Sequence, residues 1–151
     1  MPKESILVSA CLLGVPCRYD GASKPCAGVA ALAERFRLIP VCPEQLGGLP
    51  TPRPASEIQP DGSIRNTAGA DVTEAYRTGA EAALSAALQS GCRVAILKEK
   101  SPSCGSGLRY DGSFSGTLTE GDGVTTALLR ANGIRVIGES EVDGCFGVKN
   151  V

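Results

Sequence analysis

Four cysteines occupy the least ordinary stretches of this 151-residue chain, which contains no histidine. They are Cys11 and Cys17 in SACLLGVPCRYDG, Cys42 in PVCPEQLGGLPTPRP and Cys104 in LKEKSPSCGSG. Thiolates are soft donors, suited to iron–sulfur clusters and soft metal ions. Cys11, Cys42 and Cys104 each fall at or just after the carboxyl end of an expected β-strand. In an open parallel α/β sheet those ends converge on one crevice, where ligands bind. Three thiolates there, with no imidazole in the chain, predict a soft-metal or iron–sulfur site. The spacing is unlike the close C-x-x-C pairs of structural zinc sites and lacks the ferredoxin cysteine run. The fold itself must assemble such ligands, and that leaves room for an open position. Cys17, six residues after Cys11, is a fourth ligand, a neighbouring thiol or a bystander on this reading. Cys26, Cys92 and Cys145 are expected to pack or to do nothing, since free cysteine often behaves as a small buried hydrophobe.

Without histidine, acid–base work falls to a carboxylate, Lys, Tyr or Cys. Asp20 in CRYDG and Glu44 in CPEQ lie close in sequence to the expected ligands. Their ordinary readings are a turn Asp before Gly21 and a helix-start Glu. Their functional reading is proton transfer. Ser101 places a hydroxyl just before Cys104, and Lys98 and Lys100 at the same strand end read as solvated cations. The glycine-rich stretches are not phosphate motifs: GxxxxGK[ST] is absent, and no GxGxxG follows a strand.

The elements that must position these groups alternate. Residues 5–10, 37–42, 93–99 and 134–139 read as apolar strands. Residues 28–36 carry helical spacing. Asp71, with Glu74 three residues on, resembles a capping box opening the longest helix, which Gly91 closes. A further helix spans 123–132 before Gly133. Residues 43–66 read as one long Pro/Gly loop, 113–116 as a short extended piece, and the tail from 140 to 151 as a loop or frayed end. The expectation is α/β: a single domain with a mostly parallel, Rossmann-like sheet of four or five strands flanked by helices, its core at 5–139.

Bulk properties narrow the partners. Lys+Arg is 15 against Asp+Glu 16, which gives no sign of a non-specific grip on nucleic acid. Three Tyr, three Phe and no Trp make a base-stacking platform improbable. The apolar run near the N-terminus is too short to span a membrane or to direct export. The expected location is cytoplasmic, where thiols stay reduced and seven cysteines do not form a disulfide framework.

Several motifs together resemble one family. SACLLGVPCRYDG, VCPEQLGGLPTPRP, AILKEKSPSCGSG, YDGSFSG and GDGVTTALL, in this order, are similar to the bacterial thiouracil desulfidases over roughly residues 5–139. The resemblance implies a [4Fe-4S] cluster held by Cys11, Cys42 and Cys104, with Cys17 outside the ligand set. The fourth iron is then free to take sulfur from a thiolated pyrimidine. The same motifs place the acidic and hydroxyl groups at Glu44, Ser101 and Asp20.

The implied chemistry agrees with the residues. A thiocarbonyl sulfur is soft and suits an open iron site, where it draws electrons from its carbon as on any Lewis acid. A carboxylate then aids addition of water, and sulfur leaves as hydrogen sulfide with no electron transferred. Neither flavin nor nicotinamide is signalled. The partners are a small thiolated pyrimidine and the machinery that assembles clusters. The alternatives are desulfidation of thiolated tRNA, a zinc-binding structural or adaptor domain using Cys11, Cys17, Cys42 and Cys104, and a thiol–disulfide enzyme, against which the missing C-x-x-C argues.

Overall fold

The computed structural model describes residues 3–146. Four parallel strands form the central sheet: β1 (Ser5–Ser9), β2 (Arg37–Val41), β5 (Val94–Leu97) and β8 (Arg135–Gly138), in the order β2-β1-β5-β8. Register pairs Ser9 with Val41 and Val8 with Ile96. The three strands that precede the cysteine loops are therefore neighbours. The chain runs outward from β1 to β2, then returns across to β5, so the order reverses between β1 and β5. Such a switch point opens a crevice at the strand carboxyl ends. Pro40 is tolerated inside β2 because β2 is an edge strand, where a missing N–H need not face a neighbour.

Alternation along each strand buries both faces. Ile6, Val8, Ile96 and Ile137 point to one side, where Val29, Leu32 and Val142 meet them. Leu7, Ala95, Leu97 and Val136 point to the other, against Ala83, Ala87 and Leu129. The first side is covered by α1 (Ala27–Ala30), its following 3₁₀ turn (Ala31–Glu34) and α5 (Val142–Phe146). The second is covered by α3 (Thr73–Gln89) and α4 (Val124–Ala131).

Several sequence expectations need correction. Asp71 does not form a capping box with Glu74. Its carboxylate accepts bonds from the Thr73 N–H (2.9 Å) and hydroxyl (2.6 Å), and Glu74 pairs with Arg77 instead. Gly91 does end the helix, at φ 70°, with Cys92 N–H donating to Ala87 O. The stretch read as one long loop holds α2 (Pro43–Leu46) and an antiparallel hairpin of β3 (Ser56–Ile58) and β4 (Ile64–Asn66). Residues 113–116 are not extended. They form the tip between β6 (Leu108–Tyr110) and β7 (Leu118–Glu120). The tail is helical as far as Phe146, whose ring meets Phe36 edge-on at 5.4 Å, because Val142 and Phe146 have apolar surface to bury. Residues 147–151 of that expectation lie outside the described residues.

Candidate functional site

Cys11, Cys17, Cys42 and Cys104 line one cavity of about 570 Å³ at the carboxyl ends of β1, β2 and β5. Cys11 lies in the 3₁₀ turn (Ala10–Leu13) that follows β1 directly. Cys42 links β2 to α2, and Pro43 at the first helical position suits that start. Cys104 lies seven residues beyond the end of β5 at Leu97, so its loop must be held by other means.

Hydroxyls hold it. Ser101 Oγ accepts from the N–H groups of Ser103 and Cys104, both at 3.0 Å. Ser103 Oγ shares a 2.7 Å hydrogen bond with Thr125 Oγ1, and Thr126 Oγ1 donates to Cys104 O at 2.9 Å. A Cβ on Gly123 would lie 2.5 Å from the Ser103 carbonyl, so the loop and the start of α4 meet backbone to backbone. The TT pair of GDGVTTALL is thus the clasp on the Cys104 loop, a role the sequence reading missed.

Burial governs the thiols. It pushes Cys11 up to about 11, against the lowering effect of Lys98. Cys17 rises to about 12 through burial and then its neighbour Cys42. Cys104 is raised further, through burial and then Glu44. Cys42 Sγ is 3.6 Å from Cys17 O and 4.0 Å from Glu44 Oε1. Among the described residues no three Cys, Asp or Glu side chains gather tightly enough for a single metal ion. The four thiols share one cavity, with Cys17 and Cys42 close enough to influence each other. Soft sulfur donors gathered around one cavity are the donor set of an iron–sulfur cluster.

Glu44, in the first turn of α2, lines the same cavity. Desolvation raises its pKa, partly opposed by Arg53 at 3.8 Å. Tyr76 from α3 also lines the cavity, and burial raises its hydroxyl. Ser101 reaches the cavity too. With both acceptor positions of its hydroxyl taken by the two amides, its proton remains to donate inward. Asp20 is not brought there: it is exposed, and its carboxylate accepts from the Ala22 N–H at 3.0 Å, as a turn Asp does. Lys98 is not a free solvated cation. Its Nζ pairs with Glu139 at 3.0 Å and donates to Glu99 O at 3.2 Å. Lys100 is exposed at the rim. Cys92 is buried in the α3 side of the core, and Cys26 and Cys145 pack partly buried on the other.

Two further residues build the site. Ser9 is buried at the end of β1, and its hydroxyl accepts the Lys98 N–H at 2.8 Å, bridging the switch point. Arg53 is buried beside Glu44. A lone polar residue at a strand end and an Arg among prolines give little sequence signal.

Residues 6–141 match the 2-thiouracil desulfurase family. The chain belongs to that family. It is 43% identical to YbbK, an uncharacterised protein of Bacillus subtilis (strain 168), in an alignment 147 positions long that covers 91% of this chain and 97% of that one. Its fold matches a solved [4Fe-4S]-dependent thiouracil desulfidase, TudS, with a TM-score of 0.88 and 47% identity, over 97% of this chain and 100% of that one. That solved structure shares the four-stranded parallel α/β architecture. No helix among the described residues is long and apolar enough to cross a membrane.

Proposed function

We propose that this protein is a thiouracil desulfidase that removes sulfur from thiolated pyrimidines hydrolytically at a [4Fe-4S] cluster held by Cys11, Cys42 and Cys104. The observation that carries this reading is the convergence of those three thiols with Glu44 and Ser101 on one cavity, in a member of this family. When bound, the cluster supplies a soft Lewis-acidic iron for the substrate sulfur. The chain's own groups do the rest. Glu44 takes a proton from the attacking water. A carboxylate of raised pKa in a desolvated cavity is a better base near neutral pH than an exposed one. Ser101 donates a hydrogen bond to the substrate, and the proton held on Glu44, with the one lost from the new hydroxyl, leaves with the sulfur as hydrogen sulfide. Tyr110 gives the heterocycle flat surface to rest on. Asp20 contributes from outside the cavity lining. Cys17 lines the same cavity and is kept outside the ligand set in this reading.

The protein works in the cytoplasm, where thiols stay reduced and cluster-assembly machinery can load it. The substrate is a small thiolated pyrimidine, which a cavity of about 570 Å³ can enclose. Anaerobically loaded protein should convert 2-thiouracil to uracil, and Cys42→Ser should not. Thiolated tRNA offered in competition separates the substrates: if tRNA is desulfidated and the free base is not, the small-molecule reading is wrong.

A further inference from the structure

We infer that Arg53 is a positioning residue for this reaction: its guanidinium fixes the Glu44 carboxylate and the Cys17 backbone in one arrangement at the cavity wall. The inference rests on the reading of Glu44 given above and deepens it.

Arg53 stands in the run Pro50-Thr51-Pro52-Arg53-Pro54, where three prolines restrict the backbone. Its side chain is 5% exposed, and Arg is almost never fully buried unless paired. Its donors can be followed one by one. Nη1 donates to Pro50 O at 3.1 Å and to Thr51 Oγ1 at 3.0 Å, which ties down its own loop. Nη2 reaches outside that loop. It donates to Cys17 O at 3.1 Å and faces Glu44 Oε2 at 3.8 Å. The Arg53 backbone N–H donates to Tyr19 O at 2.7 Å, so the Pro-rich loop grips the Cys11–Tyr19 segment twice. Nε is buried without a partner.

A device that only fastened the loop would not need a buried cation with a donor left unspent. Unpaired buried donors and buried charges both lower stability. The fork is better explained by what it spans. One planar group touches the carbonyl of one cavity cysteine, Cys17, and faces the carboxylate beside another, Cys42. A Lys ammonium is a point charge and cannot hold both directions at fixed angles.

The test is a double-mutant comparison on anaerobic holoenzyme, with turnover expressed per intact cluster. Arg53→Lys keeps the buried positive charge and loses the fork. It should lose about 10²-fold in kcat, the cost of a small misplacement of a reacting group. KM should change little, and iron content and visible spectrum should match wild type. Because Arg53 acts through Glu44, Arg53→Lys should add no further loss in a Glu44→Gln background. Independent, multiplicative losses overturn the inference and leave the reading of Glu44 standing. Wild-type turnover of Arg53→Lys, or iron lost in proportion to activity, overturns it as well. Wild-type turnover of Glu44→Gln overturns both. Should Arg53→Lys fail to fold, Arg53→Ala assayed with methylguanidinium replaces it. Recovery of turnover at unchanged iron content supports the inference, and no recovery overturns it.

Discussion

Cys11, Cys42 and Cys104 share a cavity, but each is held there by different chemistry. Cys11 and Cys42 follow their strands directly, and the Cys104 loop depends on Ser101, Thr125 and Thr126. The expected outcome for Cys11→Ser, Cys42→Ser and Cys104→Ser is loss of the cluster. Cys92→Ser and Cys145→Ser, which lie outside the cavity lining, should retain it. Iron content and visible absorbance across the five variants check this, and full loading in any of the first three removes that residue from the set. Glu44→Ala should keep the cluster and lose turnover by about 10²–10⁴-fold, as expected for a positioned base. If Glu44 were only a helix-start residue, the substitution would cost about 0.3–1 kcal/mol of stability and leave turnover of the folded fraction unchanged. Ser101→Ala should also slow turnover. It removes the acceptor of two amide bonds as well, so its thermal midpoint should fall. Asp20→Ala should show the smallest loss of the three, because its carboxylate serves its own turn.

Short elements do the aiming. The four-residue α2 carries Glu44 and has no length to stabilise itself, so it leans on α3. A Cβ on Gly79 would sit 1.9 Å from Pro43 O, and one on Gly47 would sit 1.9 Å from Ala75 O. Two glycines thus let the helices touch backbone to backbone. Gly79→Ala should force α2 away and cost about 1–3 kcal/mol by overpacking. A calorimetric melt of the variant checks the stability loss, and turnover per cluster should fall with it as Glu44 moves. Thr126→Val should cost about 1 kcal/mol for the lost bond to Cys104 O, and cluster retention measured under chelator challenge should drop. These aiming devices were the part least legible in the sequence. Hairpin strands of three residues, such as β3, β4, β6 and β7, are too short to show alternation. The α2–α3 contact involves residues far apart in the chain. Arg53 gave no signal either, since nothing local says where its side chain turns. The long α3 and the terminal Gly91 and Gly133 were legible because caps and periodicity act locally.

The molecule is built on a two-faced parallel sheet whose strand order places three cysteine loops side by side. That arrangement could be read from four apolar runs alternating with helices, since parallel strands buried on both faces lack polar alternation. The site followed from the fold because Cys11, Cys42 and Cys104 all fall at the same end of that sheet. The central claim is that this cavity, loaded with a cluster, removes sulfur without redox chemistry. It is tested most directly by measuring uracil and sulfide released from 2-thiouracil by anaerobic, iron-loaded protein with no electron donor or acceptor present. The account predicts both products in equal amounts, over many turnovers per cluster. Turnover by iron-free protein, or turnover that begins only when a reductant is added, would contradict it.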